Sequence, residues 1–432
     1  MFKQYLIQAL NLMKQNRFFS FVYILGTALA ISMVMMMAIV YYIRTADIAP
    51  EVNRGRLCLL DAATSVSKDG QSNWTGNLSF KTVREVYYPL RTPELVSAYI
   101  RPGIFTYNVG EMQLRIPGGK DKFEIKLSGT DAAYWQMFRF TFIDGRPYTP
   151  IDFESGLRRI VLSETRARQL FGKADVAGQG VLLNDVEYTV AGVVRDISAV
   201  NTITCADAWV PFTLYPELMI SDGAEGVLGR LELCIRCRSI DDLPALRKEI
   251  DQNSKRYNTT LKDWEYIANE RGDVRTWRTF ILSELDWRTS PSKQLMQYGL
   301  LLCIFLLVPA VNLSGLSSSD MVKRIPELGL RKAFGASRAT LIVQVLTENF
   351  LYTFLGGIVG LLFSFLLVFL LRNLLFGVEQ MTGEVSLSPG MLLNLPVFFI
   401  TFGFCLLLNL LSALLPAWLS TRVSIVKAIN DK

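Results

Sequence analysis

Four long apolar segments divide this chain, and each is close to the roughly 20 residues that a membrane-spanning helix needs. They cover residues 18–43, 294–319, 341–371 and 391–415, and the one charged side chain among them is that of Glu348. The pattern predicts an α-helical membrane protein with four transmembrane helices. The first segment is too long for the apolar region of a signal peptide, which favours a retained anchor over a cleaved leader.

The residues before the first span also carry a helical pattern. Apolar side chains recur there at Phe2, Leu6, Ala9, Leu10 and Met13. This spacing predicts an amphipathic helix over residues 1–17 that lies on the membrane surface. A plain continuation of the first span is the alternative.

The long segment between the first two spans, residues 44–293, alternates apolar and polar residues in short runs and predicts one large α+β domain. Residues 181–190 are typical of a hairpin with its turn at Asn184 and Asp185. Ser163 is a candidate N-cap for a short helix ending near residue 171. Residues 242–253 predict an amphipathic helix. The predicted permease domain follows over residues 294–432.

The composition agrees with a membrane protein and excludes little else. The chain has 432 residues, of which 50% are hydrophobic and 19% charged, with a net charge of +6. The basic residues form no single long face, so a nucleic-acid partner is not expected. The absence of histidine lowers the expectation of a Ser-His or zinc enzyme, and no metal site is predicted. Cys234 and Cys237 form a C-x-x-C pattern within a strand-like run, which places them on opposite faces rather than in a redox site.

The short flanks of the predicted spans determine the expected orientation. Lysines and arginines gather before the first span, between the second and third, and after the fourth. Because short basic flanks stay in the cytoplasm, both termini and the loop 320–340 are expected inside, and residues 44–293 outside.

The loop 320–340 is the most informative polar segment. Pro326 can open a helix, with Glu327 in the first turn where the helix dipole favours an anion. Gly335 then allows a sharp turn, so that a second helix can begin at Ser337 and run into the third span. A short helix beside the membrane can dock into a groove of a soluble partner. On charge alone, a simple topology signal is the favoured interpretation.

Two glycines of the third span, Gly356 and Gly360, form a small-xxx-small face. Such a face permits close approach of another helix, within the subunit or at a dimer interface. The alternative is the general tolerance of membrane helices for glycine.

Taken in order, these segments resemble the MacB/FtsX-like family of ABC transporter permeases. The resemblance covers nearly the whole chain. The loop matches the family pattern E-x-G-x-R-K-A-x-G-A, and residues 416–422 match the tail pattern P-A-x-x-(A/S)-x-R. By this resemblance, the residues expected to couple to an ATPase are Pro326, Glu327, Gly329, Arg331, Lys332, Gly335, Ala336 and Arg338.

The resemblance implies a bacterial inner-membrane permease that works with a separate cytoplasmic ATPase. The sequence has no G-x-x-x-x-G-K-[ST] phosphate loop, so ATP and Mg²⁺ are expected in that partner and no cofactor in this chain. The implied partners are an ABC ATPase, a second permease chain and membrane lipids. A periplasmic adaptor and an outer-membrane channel are compatible with the same family.

The implied function is export or extraction of a substrate, of the efflux or lipoprotein-release type, driven by movement of the periplasmic domains. An FtsX-like regulator of a periplasmic cell-wall hydrolase is the alternative, although the large outer domain favours the MacB-like function. A membrane-anchored periplasmic enzyme is the third possibility, and it lacks a recognisable site constellation.

Overall fold

The computed structural model describes residues 2–15, 17–219, 223–268, 273–283, 296, 299–300, 330–331, 333–376, 387, 389–392 and 394–421. These residues belong to two compact units, which are described separately. The membrane unit comprises Met1–Arg44, Thr289–Leu375 and Leu387–Lys432. The α+β domain comprises Thr45–Arg288 and Phe376–Ser386.

The membrane unit is built from helices. They are α1 (Phe2–Gln15), α2 (Arg17–Thr45), α11 (Arg338–Leu370), α12 (Arg372–Phe376), α13 (Pro389–Leu392) and α14 (Leu395–Thr421). Within the described residues, α2, α11 and α14 are long and apolar enough to cross a membrane. They correspond to the first, third and fourth predicted spans, while the second, residues 294–319, lies almost wholly outside the described residues.

The fourth span begins later than the predicted residue 391. A separate short helix, α13, ends at Leu392, and the side chain of Asn394 accepts a hydrogen bond from the Val397 N–H at 3.0 Å. Asn394 is therefore the N-cap of α14, and Pro396 follows in its first turn, where proline is well tolerated. Hydrophobicity alone does not mark this break, because the residues on both sides of it are apolar.

The α+β domain contains sixteen strands within the described residues. They are β1 (Leu57–Leu60), β2 (Ala63–Ser67), β3 (Asn73–Leu78), β4 (Leu95–Ile100), β5 (Met112–Arg115), β6 (Phe123–Ile125), β7 (Leu127–Thr130), β8 (Phe142–Gly145), β9 (Arg159–Ser163), β10 (Gly180–Leu183), β11 (Val186–Val194), β12 (Ala208–Pro211), β13 (Leu228–Gly229), β14 (Glu232–Arg236), β15 (Trp264–Ile267) and β16 (Arg275–Thr276). The larger sheet has the order β16-β1-β14-β4-β7-β12-β9-β11-β10-β5-β6, with β8 paired to β11, and the smaller has the order β13-β3-β2-β15.

Helices of this domain cover the sheets. They are α3 (Phe80–Thr82), α4 (Pro102–Val109), α5 (Tyr134–Met137), α6 (Pro150–Glu154), α7 (Glu164–Phe171), α8 (Pro216–Met219), α9 (Leu243–Asn258) and α10 (Trp277–Ser283). Strands β1, β7 and β12 of the larger sheet are buried on both faces. Along β1, Leu57 and Leu59 enter a core with Trp209 and Trp277, whereas Cys58 and Leu60 enter the larger core on the other face. A strand buried on both faces reads as a continuous apolar run, as β1 does.

Local predictions in this domain are confirmed. Asn184 and Asp185 join β10 to β11 with φ of 47° and 67°, the left-handed pair that a tight hairpin turn requires. The side chain of Ser163 accepts from the Arg166 N–H and caps α7. Helix α9 buries Leu246 and Ile250 on one face, and it runs beyond the predicted residue 253 to Asn258.

Candidate functional site

The candidate site is the coupling segment, residues 330–338, which precedes the third span. A helical turn ends there, because the Phe334 N–H donates to the Leu330 carbonyl at 3.1 Å and the Ala336 N–H donates to the Arg331 carbonyl at 3.0 Å. Gly335 has φ of +89°, the left-handed conformation that closes such a turn. The prediction that Gly335 provides a sharp turn is therefore confirmed.

A new helix begins two residues later, as the sequence predicts. The Ser337 hydroxyl accepts from the Thr340 N–H at 3.2 Å and caps α11, which continues to Leu370. The helical turn that ends at Ala336 is therefore separated from α11 by the capping residue Ser337 alone.

Four of the eight predicted coupling residues are described. They are Arg331, Gly335, Ala336 and Arg338, while Pro326, Glu327, Gly329 and Lys332 lie outside the described residues. Arg338 is exposed at the first turn of α11, and Ala336 packs against Leu341 and Val345. Ala336 thus anchors the segment to the helix, whereas Arg338 stays accessible to a partner.

Arg331 makes a contact within the chain that the sequence analysis missed. Its Nη1 donates to the Gln344 side-chain carbonyl at 2.7 Å, and the Gln344 amide nitrogen donates to the Glu348 carboxylate at 3.3 Å. Gln344 and Glu348 are both 5% exposed. This chain of hydrogen bonds, the Arg331 brace, ties the coupling segment to the third span. The predicted contact of Arg331 with an ATPase stays a prediction.

Two apolar side chains of the coupling segment point away from the chain. Phe334 is 85% exposed and Leu330 is 53% exposed. Exposed aromatic and aliphatic side chains on a short helix are typical anchors for a groove on another protein. The signal was present in the sequence, because Leu330 and Phe334 are four residues apart and so share one helix face.

Polar contacts join the first and third spans. The Tyr23 hydroxyl donates to the Asn349 side-chain carbonyl at 2.6 Å, and the Ser20 and Tyr352 hydroxyls are 3.1 Å apart. Hydrogen bonds between helices stabilise packing in an apolar surrounding, where the drive to bury apolar surface is weak. They hold α2 beside the half of α11 that follows the coupling segment.

Gly356 and Gly360 of the third span lie where a neighbouring helix approaches closely. A Cβ on Gly356 would lie 2.9 Å from the Thr27 side chain, and a Cβ on Gly360 would lie 2.8 Å from the Ala28 carbonyl oxygen. Both neighbours belong to α2. The close approach expected of Gly356 and Gly360 is thus found within one chain, against the first span.

The C-x-x-C cysteines do not form a joint site. Cys234 enters the core with Trp209 and Trp277, whereas Cys237 enters the core on the opposite face of the sheet, so the strand interpretation is confirmed. Cys237 instead meets Cys58, with the two sulfurs 3.9 Å apart. The hydrogen bond shared with Cys237 and burial raise the pKa of the Cys58 thiol, and burial raises that of Cys234. Both groups are therefore held as thiols, which are poor nucleophiles.

Sequence profiles of two families match the chain in the predicted order. The MacB-like periplasmic core domain matches residues 20–253, and the FtsX-like permease C-terminal domain matches residues 299–425. The chain belongs to the MacB/FtsX-like family of ABC transporter permeases. In this MacB/FtsX-like permease, the coupling segment, its brace and the membrane helices all lie in the FtsX-like part, except α1 and α2.

Curated relatives of the MacB/FtsX-like permease carry transport names. The Bacillus subtilis protein named uncharacterized ABC transporter permease YknZ is 23% identical over 247 residues, which cover 56% of this chain and 57% of that protein. The macrolide export ATP-binding/permease protein MacB of Salmonella typhimurium is 24% identical over 268 residues, covering 62% and 39%. The chain thus spans about half the length of the curated relatives it matches.

Two solved structures are similar to part of this chain. The extracellular domain of YknZ from Gram-positive bacteria is 18% identical, with a TM-score of 0.34, and covers 48% of this chain and 99% of that one. The periplasmic region of MacB from Actinobacillus actinomycetemcomitans is 14% identical, with a TM-score of 0.33, and covers 52% and 93%.

Proposed function

We propose that this permease couples ATP hydrolysis by a separate cytoplasmic ABC ATPase to movement of its α+β domain, for export or extraction of a substrate. The observation that carries this proposal is the form of the coupling segment. Leu330 and Phe334 face outward, while Arg331 on the same turn is hydrogen-bonded to the third span. One turn of helix thus offers an apolar anchor to a partner and a polar attachment to the membrane helix.

The orientation follows from the same proposal. The coupling segment must face the cytoplasm, where an ATPase has access to ATP, and the α+β domain then lies on the other side of the inner membrane. A Ser337→Cys variant tests this placement, because Ser337 is exposed. A membrane-impermeant maleimide should label it in inverted vesicles and not in intact cells whose outer membrane has been made permeable.

The remaining components belong to the partner chains. ATP and Mg²⁺ would bind the ATPase, and two permease chains would stand on an ATPase dimer. The relative named for macrolide export supports efflux as the class of activity.

Affinity purification of the tagged full-length chain from its own host tests the proposed function. An ABC ATPase should co-purify, and its Mg²⁺-dependent hydrolysis in nanodiscs should exceed that of the isolated ATPase. Recovery of a cell-wall hydrolase without any effect on ATP hydrolysis would support the regulator instead. A chain that recruits no ATPase would refute the proposal.

A further inference from the structure

A buried ion pair lies a few residues beyond the first span. Glu51 and Arg54 are joined by a 2.7 Å contact between Oε2 and Nη2, and both side chains are fully buried. Helix α2 ends at Thr45, so the pair stands in the connector that leads from the membrane into the α+β domain. We call residues 45–56 the entry connector.

The Glu51 carboxylate gathers a second segment of the domain. Its Oε1 accepts hydrogen bonds from the Ile203 N–H at 2.9 Å, the Thr204 N–H at 3.0 Å and the Thr204 hydroxyl at 3.1 Å. Two backbone amides of one turn therefore depend on a side chain some 150 residues earlier in the chain.

The Arg54 guanidinium closes the entry connector on itself. Its Nη1 donates to the Ala46 carbonyl at 2.7 Å, its Nη2 also donates to Asn201 at 3.0 Å, and the Arg54 N–H donates to Asp47 at 2.7 Å. The planar guanidinium can hold several acceptors in one fixed arrangement, which a lysine ammonium cannot copy.

The same guanidinium also reaches the segment that leads back to the membrane. Its carbon lies 4.6 Å from the ring centroid of Trp277, the first residue of α10. Helix α10 buries Phe280 and Ile281 as well, and strand β16 just before it pairs with β1. We call residues 273–283 the exit connector, because the second predicted span follows it in the chain.

Stability alone does not account for this arrangement. A buried ion pair is often no more stabilising than apolar side chains of similar volume, because both charges must be desolvated. The pair instead fixes three segments relative to one another. The guanidinium contacts the entry connector, Asn201 and the exit connector, and the carboxylate accepts from the amides of residues 203 and 204. Displacing the exit connector alone would take the Trp277 ring off the Arg54 guanidinium, and displacing the entry connector alone would also strip the buried amides of residues 203 and 204 of their acceptor, so the two are expected to move together.

We infer that Glu51 and Arg54 form a joint that makes both connectors one rigid element and carries displacement of the membrane helices into the α+β domain. This inference rests on the proposed function, since it assigns the path of the ATP-driven movement. Glu51 and Arg54 are positioning residues in this path and have no part in binding ATP or a substrate.

Hydrogen–deuterium exchange of the full permease–ATPase complex in nanodiscs, with and without ATP and vanadate, tests the joint. In the wild type, nucleotide should change exchange both in residues 330–338 and in the α+β domain. With Glu51→Gln, the change should persist in residues 330–338 and be lost in the domain. Arg54→Lys keeps the charge but not the planar group, and should give the same loss.

A matched control is available in the same domain. Glu232 is also buried and paired, with Arg101 at 2.7 Å, but neither residue belongs to a connector. Glu232→Gln should loosen the domain locally and keep its response to nucleotide. Protection of the central strands β7 and β12 reports whether each variant is folded.

Each result bears on the inference in a defined way. A nucleotide response in the domain that survives both Glu51→Gln and Arg54→Lys would overturn it, as would loss of the domain fold in both variants, which would assign the pair a purely structural role. An equal loss in Glu232→Gln would also overturn it. If wild-type residues 330–338 do not respond to nucleotide, the proposed function fails rather than the joint.

Discussion

The exposed phenylalanine of the coupling segment gives the sharpest test of how the proposed ATPase partner would bind. Phe334 is 85% exposed in the permease, so Phe334→Ala removes almost no packing from the chain itself. Such surface substitutions usually change stability by less than about 0.5 kcal/mol. The variant should therefore fold, insert and melt like the wild type.

Binding should respond much more strongly. Burying a phenylalanine side chain contributes about 1.5–3 kcal/mol. At about 1.4 kcal/mol per factor of ten, its loss should raise the Kd for the ATPase roughly 10- to 150-fold. Titrating the ATPase against the permease in nanodiscs and following ATP hydrolysis would show this as a shift in the half-saturating concentration, with the maximal rate retained.

Phe18→Ala is the matched control for this experiment. Phe18 is 83% exposed, carries the same side chain and lies at the first turn of α2, outside the coupling segment. It should leave the half-saturating concentration unchanged. If Phe334→Ala binds the ATPase as tightly as the wild type, or if both variants weaken binding equally, then Phe334 is not an anchor for the ATPase.

Three further predictions concern the brace, the helix packing and a helix cap. Gln344→Leu removes the hydrogen-bond acceptor of Arg331, and a hydrogen bond to a charged group contributes about 1.5–3 kcal/mol. The ATPase should still bind this variant, but the permease should stimulate its ATP hydrolysis less. Unchanged stimulation would argue against the Arg331 brace. Gly360→Ala brings a Cβ to 2.8 Å from the Ala28 carbonyl oxygen and should destabilise the chain by about 1–3 kcal/mol, whereas Gly403→Ala meets open space and should leave the thermal midpoint in detergent unchanged. Hydrogen bonds from Thr149 lower the pKa of Asp152 in α6, so its contribution, about 0.3–1 kcal/mol, is present above its unfolded pKa of about 3.9 and is lost as pH falls through the lowered value. The thermal midpoint of Asp152→Asn should accordingly lie below that of the wild type at pH 7 and converge with it in acid, and equal midpoints at pH 7 would contradict this.

Several features of this permease could be predicted from the sequence because they depend on neighbouring residues. Apolar length marked the described spans α2, α11 and α14. Capping chemistry located the start of α11 at Ser337 and of α7 at Ser163, and glycine chemistry located the turn at Gly335. These are local choices, in which a side chain satisfies a backbone group a few residues away.

The start of the fourth span shows where such local reasoning fails. An apolar run continues across Asn394, and the run by itself gave residue 391 as the beginning. The break depends on which backbone amide the Asn394 side chain reaches, and that becomes visible only when the helix geometry is known.

Only the tertiary structure decided how distant segments meet. Nothing near Arg331 in sequence indicates that Gln344 accepts its hydrogen bond, and nothing near Glu51 indicates that the amides of residues 203 and 204 depend on it. The sequence around an arginine or a glutamate does not show whether its side chain faces solvent, a partner or a core. The choice among these is made when the whole chain packs, because a charge is buried only where the fold provides its counter-charge and hydrogen bonds.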